Sequence, residues 1–248
     1  MFLSKSSLNT WLQCPAKFKY IYIDKCRPET SPQAQRGIEV HDFCNHFYDN
    51  ISFKNGDVIV DRDFLEPYLE MCMEETKEQI NNFIEFEQQR WRICRSLCPK
   101  NPRKLFLPLL REEKFVSEKL QQVTIVDRMD QRLDGNYTLV EYKSERFQEK
   151  EWKKTEFRRE MMFEKITCET TPDFQARFPY NIVEFVVYFP RSNDVMMENF
   201  NYRTASALKK SIERMRIAIE NSYYPCNVEY HCRFCAFSLG LCPMEFEK

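Results

Sequence analysis

The chain has 248 residues, of which 43% are hydrophobic and 30% charged, and its net charge is −1. The apolar content suffices for a sizeable core, while the balanced charge argues against a protein that coats nucleic acid by electrostatics alone. Only 4 glycines are present, among them Gly37, Gly56 and Gly135, so no glycine-rich phosphate loop can be assembled.

The opening segment, MFLSKSSLNTW, lacks the long apolar run of a secretory leader. Residues 4–20 read as helical, with Ser6 or Ser7 as the cap, Leu8, Trp11 and Leu12 at helical spacing, and a fresh start at Pro15 after Cys14. Residues 21–32 contain Pro28 and Pro32 and read as a loop. Residues 33–49 form a second helix with Ile38, His41 and Asn45 on one face. The longest helical stretch is 62–98, expected to break near Pro67 and to stop before Pro99 and Pro102. A β region follows at 104–116, 121–133 and 137–143, with a turn at Asp134-Gly135-Asn136. Residues 151–169 return to helix, 181–190 read as a buried strand, 195–202 as its partner, and 203–221 as a final helix before a cysteine-rich tail. The pattern predicts an α/β fold, a small central mixed sheet flanked by helices, in a single domain spanning 1–248. No stretch approaches the roughly 20 apolar residues of a membrane helix, so an intracellular, cytoplasmic protein without a membrane partner is expected, the nucleus not excluded.

Charges interrupt the apolar rows of two of these strands. Side chains alternate along a strand, so Val123, Ile125, Asp127, Met129 and Leu133 share one face, as do Tyr137, Leu139, Glu141 and Lys143. A three-residue loop at 134–136 would pair Met129 with Glu141 and Asp127 with Lys143, whereas a two-residue loop would split the charges across the sheet. An odd-length turn is therefore expected, with Gly135 or Asn136 at positive φ. Neighbouring carboxylates repel unless a cation lies between them. Mg²⁺ or Mn²⁺ suits such oxygen ligands and assists phosphoryl chemistry, with a nearby lysine steadying charge. A plain salt bridge of Lys143 with Asp127 or Glu141 is the structural alternative.

Cysteines number 11. Without a secretory signal a disulfide framework is not expected. Cys44, Cys72 and Cys94 fall in apolar helical patterns and read as small buried hydrophobes. Cys232 and Cys235 stand at chelating spacing, and Cys242 follows after six residues. These suit Zn²⁺ or an iron–sulfur cluster, with His231, Cys226 or a remote cysteine as fourth ligand.

Taken in order, Ser6-Ser7-Leu8 with Cys14-Pro15, Gly37 to His41, Val126-Asp127-Arg128-Met129-Asp130, Glu141-Tyr142-Lys143 and the triplet Cys232, Cys235 and Cys242 resemble the motifs of RecB-like PD-(D/E)XK nucleases. The resemblance is to their iron–sulfur branch, which includes the CRISPR-associated RecB-like exonucleases and the AddB nuclease domain. It implies a restriction-endonuclease-like core whose N-terminal helical segment (4–20) is tied to a cluster-binding tail (226–248), with 62–98 as a helical insertion. It implies that His41, Asp127, Glu141 and the Tyr142 carbonyl bind Mg²⁺ or Mn²⁺, that Lys143 is the catalytic lysine, and that Cys14 completes a 4Fe–4S cluster. The sequence departs from the family where a Q-x-x-x-Y motif would lie, with Glu160 at the glutamine position.

The implied function is a metal-dependent DNA nuclease, an exonuclease on single strands or DNA ends, working with protein partners in recombination, repair or CRISPR adaptation. Lys153, Lys154, Arg158 and Arg159 are candidate phosphate contacts, although interleaved Glu149, Glu151 and Glu156 equally suit a solvated helix face. The competing readings are a nuclease-dead DNA-binding module of the same fold and a zinc-binding interaction protein.

Overall fold

A computed structural model describes residues 1–26, 28–29, 31–238 and 242. Strand β1 (Leu3–Ser4) runs straight into helix α1 (Lys5–Gln13). The cap is Ser4, not Ser6 or Ser7: its hydroxyl accepts the Ser7 N–H at 3.1 Å, and the Ser7 hydroxyl lies 2.8 Å from the Ser4 N–H, a reciprocal capping box. Pro15 opens α2 (Pro15–Phe18) as expected, because its missing N–H costs nothing in a first turn. Helical structure persists beyond residue 20 as a π-helical turn at Lys19–Ile23, so the expected loop begins later.

Helix α3 (Pro32–His46) carries His41 and ends in a 3-10 turn at Phe47–Asp49. A small hairpin follows, β2 (Ile51–Lys54) and β3 (Asp57–Val60). Its turn is Asn55-Gly56, both at positive φ, the strongest short hairpin signal a sequence carries. The long helical stretch is divided into α4 (Arg62–Met71) and α5 (Glu74–Leu97). The break falls at Cys72-Met73, where both residues are extended, and Pro67 sits inside α4. A short helix, α6 (Arg103–Phe106), replaces the start of the strand expected at 104.

Among the described residues the main sheet has six strands. β4 (Leu110–Ser117), β5 (Gln122–Gln131) and β6 (Tyr137–Tyr142) form an antiparallel run, then β7 (Ile182–Phe189) joins β6 in parallel and β8 (Asp194–Asn199) closes the edge. Helices α7 (Glu151–Glu169) and α8 (Pro172–Arg177) make the crossover from β6 to β7 that a parallel pair requires, and α9 (Tyr202–Glu220) follows β8. This is the expected mixed sheet flanked by helices.

Alternation along β6 assigns the layers. Val140 and Tyr142 pack with Phe43 of α3 and Phe83 of α5, while Tyr137 and Leu139 pack with Phe157 and Met161 of α7. α7 also turns Met162 and Phe163 toward Leu8 and Trp11 of α1 and Leu208 of α9, so it is the hub between sheet and N-terminal helices. Cys44 and Cys94 are buried in the α3–α5 layer, and Cys72 packs against its edge.

Candidate active site

Strand β5 organises the site. β4 lines one edge of it from Gln122 to Met129. The other edge is shared: β1 pairs with Gln122 and Val123, and β6 with Arg128 to Gln131. Between them the ladder opens. In that opening the Asp127 Oδ2 accepts the Tyr142 N–H at 3.0 Å, doing the work of an absent ladder carbonyl.

The hairpin register differs from expectation by two residues. Met129 faces Leu139, which sets Asp127 level with Glu141, not Lys143. The cause is the turn's position. Arg132 N–H donates to Asn136 O at 2.9 Å and Gly135 N–H to Arg132 O at 3.1 Å, so the loop is Leu133-Asp134-Gly135, with Gly135 at φ +89. Its length stays odd, and a shift of two preserves the face. Strict alternation, however, fails around Asp127: Val126 and Met129 share the α7 layer while Ile125 is half exposed.

Glu112 explains the irregularity. The β4–β5 register places it opposite Asp127, and its φ is +46. A non-glycine residue held there costs about 1–3 kcal/mol, which the surrounding structure must impose. The strain turns its carboxylate toward His41: the two ring nitrogens of His41 lie 3.1 Å from Glu112 Oε1 and 3.0 Å from Asp127 Oδ2. Gly37, one helical turn earlier, faces Ser144, whose Oγ would stand 2.8 Å from a Cβ there. Burial alone would depress the imidazolium, but the hydrogen bond and charge of Asp127, with Glu112 and Glu141, raise His41 to about 9.

Glu141 has a different environment. Lys5 Nζ lies 2.7 Å from both of its carboxylate oxygens, and Lys143 Nζ lies 2.8 Å from Oε1. Burial opposes ionisation, yet the two ammoniums hold its carboxyl well below the usual range. Lys143 also reaches Glu160 at 2.7 Å, Glu160 accepts from Asn9 at 2.6 Å, and Asn9 accepts from Arg159 at 3.0 Å. Lys5 contacts the fully buried Glu164 as well, whose carboxyl is pushed up by burial.

The structure thus brings together His41, Asp127, Glu141 and Lys143, and it adds Lys5, Glu112 and Glu164, which sequence reasoning missed. Three ligand atoms, from His41, Glu112 and Asp127, lie within 4.8 Å of one another. Glu112 is the third member of this set, and Glu141 stands beside it, level with Asp127. Tyr142 supplies an N–H to Asp127, and its side chain faces away, accepting from Arg128 at 3.0 Å. Carboxylates outnumber cationic side chains there, and among the described residues Glu164 Oε2 is buried without a hydrogen-bond partner. Imidazole with hard oxygens and surplus negative charge fits Mn²⁺ or Mg²⁺.

The four candidate phosphate contacts are largely engaged within the chain. Lys153 pairs with Glu145 and Glu156, Lys154 with Glu149, and Arg158 with Glu151 and Glu198. Arg159 lines a depression with Asn9 and the exposed Trp152.

The cysteines gather elsewhere. Cys14, Cys226, Cys232, Cys235 and Cys242 line one pocket with Ala16, Tyr20 and Phe237. The Cys226 and Cys242 sulfurs lie 3.9 Å apart. The N-terminal helices and the tail are tied there: Ala16 N–H donates to Pro225 O at 3.2 Å, and the Asn227 side-chain amide donates to Gln13 O at 3.0 Å. The His231 side chain and residues 239–241 and 243–248 lie outside the described residues.

Residues 3–243 match the family described as the PD-(D/E)XK nuclease superfamily. Among solved structures, the fold is similar to a protein described as "Putative exonuclease" from Eubacterium rectale, with a TM-score of 0.52 and 8% identity, covering 95% of this chain and 86% of that one. No curated protein matches.

Proposed function

The chain belongs to the PD-(D/E)XK nuclease superfamily, and from that premise we propose that it is a divalent-metal-dependent deoxyribonuclease, an exonuclease acting on single strands or DNA ends. The observation that carries this reading is the convergence of His41, Glu112, Asp127, Glu141 and Lys143 at the opening beside β5. The exonuclease mode draws on the description of the similar fold and on the sequence resemblance to RecB-like enzymes.

His41, Glu112 and Asp127 would hold the ion, which when bound offsets charge on the phosphoryl oxygens and acidifies water. Asp127 is pinned for that task by the Tyr142 N–H. Lys143 is held between Glu141 and Glu160, so its ammonium offers a fixed charge at the edge of the site without reorganisation. The exposed Trp152 beside Arg159 offers a face on which a base can stack, in a depression linked to Lys143 through Asn9 and Glu160.

Cys14, Cys232, Cys235 and Cys242 are proposed to hold a 4Fe–4S cluster, as in the iron–sulfur branch. Their shared pocket supports this, and its mostly apolar walls suit a desolvated cluster. Zinc is the alternative: the Cys226–Cys242 separation of 3.9 Å is close to the ~3.8 Å between two thiolates on one tetrahedral zinc. A brown protein containing iron supports the first; a colourless one containing zinc supports the second.

The function is tested by digesting end-labelled single- and double-stranded DNA with Mg²⁺ or Mn²⁺. The expected result is shortening from an end, with Asp127→Ala and Lys143→Met each slowed by about a hundredfold or more while remaining folded. Binding without cleavage in either metal would identify a nuclease-dead module instead.

A further inference from the structure

Helix α9 and the β4–β5 turn face one another across a groove of about 1020 Å³, with Ile166 and Thr170 of α7 at its base. Tyr202, Ser206, Lys209, Glu213 and Arg216 line it at helical spacing and form one stripe of α9, roughly 21 Å long at 1.5 Å per residue. Tyr202, at the first position of the helix, is 84% exposed. Lys119 of the turn and Lys210 of the helix add two more cations. Among the described residues, none of Lys119, Lys209, Lys210 and Arg216 is paired with a carboxylate. Arg216 is fixed by the turn instead, donating to Leu120 O at 2.6 Å and to Gln121 Oε1 at 3.1 Å, so its charge is oriented without being neutralised. Glu118 and Glu213 share the lining, and four cations against two acids leave it positive. The start of α7 differs, because Lys153, Lys154 and Arg158 are neutralised there by glutamates. Leu120, Ile166, Leu208 and Ile212 make the groove's floor apolar. Cations above an apolar floor, with an aromatic ring at one end, suit a single nucleic-acid strand: phosphates meet the charges, and bases meet the ring and the floor. The groove and the acid site also share their supports. Glu164 precedes Ile166 by two residues on α7, and Asp127 stands five residues, roughly 17 Å, along β5 from Gln122 at the groove's edge.

We propose that this groove holds the unpaired DNA strand that extends from the acid site, with Lys119, Lys209, Lys210 and Arg216 on its phosphates and Tyr202 stacked on a base. The inference rests on the nuclease reading and deepens it. Phosphate contacts carry no base preference, so the groove retains a strand of any sequence.

The test is fluorescence anisotropy of the full chain with an end-labelled oligothymidylate of about twenty nucleotides, read over a salt series. Every chain carries Asp127→Ala so that the strand stays whole. Replacing Lys119, Lys209 and Lys210 together by Gln is expected to weaken binding about tenfold or more at about 0.1 M salt, and to lower the slope of log affinity against log salt by about two, as the loss of three single-strand phosphate contacts requires. Tyr202→Ala alone is expected to weaken binding about fivefold or more. A control with Lys54, Arg62 and Lys100 changed to Gln removes the same charge elsewhere and is expected to stay within about twofold of its parent. All six positions are exposed, so neither set threatens the core. Affinity that survives the groove substitutions, or falls as far in the control, overturns the proposal and leaves the groove to a protein segment. A chain that binds the strand through the groove yet, with Asp127 restored, cleaves nothing contradicts the nuclease reading and leaves the groove assignment intact.

Discussion

At Glu112 the backbone accepts a left-handed conformation to set a carboxylate against His41 and Asp127. Glu112→Gly therefore separates stability from function. Relief of the φ strain is expected to stabilise the metal-free protein by about 1 kcal/mol in urea unfolding, while Mn²⁺ affinity measured by calorimetry falls at least tenfold. Loss of stability together with unchanged affinity would show that the strain serves packing alone. Asp127, Glu141 and Lys143 were legible in the sequence because each breaks an apolar row within a few residues of the others. Glu112, Lys5 and Glu164 were not. Glu112 becomes a neighbour only through the β4–β5 register, Lys5 only because β1 docks on β5, and Glu164 only because α7 presents it from a crossover. None of these long-range pairings leaves a local spacing to read.

Among the elements, α3 and the sheet meet at Gly37, and the fit is tight enough to test. Gly37→Ala should be nearly silent, because the Ser144 hydroxyl can rotate away. Gly37→Leu should push α3 off the strand end and weaken Mn²⁺ binding through His41, at a cost of about 1–3 kcal/mol in stability. On the opposite side of β5, Arg128 is buried between Glu87 of α5 (2.7 Å) and Asp130, and Arg90 adds a second contact to Glu87 at 2.8 Å. Burial would raise the Glu87 carboxyl, but the two guanidiniums outweigh it and lower it below 4.5. Its folded value lies below the unfolded one, so its contribution to stability is complete above the unfolded value and is lost as pH falls through the folded one. Urea unfolding should therefore show an acid-labile protein, and Glu87→Gln should flatten that acid limb while costing about 3–5 kcal/mol at neutral pH. An unchanged acid limb in the variant would assign the lability to other carboxylates. The order of helices and main strands could be read from periodicity, and the errors fell where local signals conflict: Pro67 is tolerated inside α4, and the β2–β3 hairpin lies between two helices whose pattern dominates its surroundings.

Taken as a whole, the molecule is a sheet with helical layers on both faces, and the N-terminal helices meet the cysteine-rich tail at one pocket. A metal or cluster joining Cys14 to Cys232 would close a loop worth about 5 kcal/mol by the chain-entropy estimate. Cys14→Ser is therefore expected to lower the melting temperature and the content of iron or zinc. It should also slow cleavage, because Cys14 caps the helix that begins with Lys5. Thiols and acids then do not divide stability and chemistry cleanly between them. Cleavage at the wild-type rate in a metal-depleted but folded Cys14→Ser protein would restore that separation. The α/β class could be recognised in advance because helices and strands segregate cleanly along the chain. The coupling could not, since it depends on where the two ends of one helix arrive.

That helix is nine residues long, about 13 Å from end to end. It is stiff at that length and offers no slack, so it transmits a displacement where a loop would absorb it. Any rearrangement around Gln13 and Cys14 reaches the ammonium at Lys5 with little attenuation. The segment that fastens the tail to the body thus also sets the alignment of the acids, and a loosened anchor would be felt first as a detuned catalyst, before the molecule came apart.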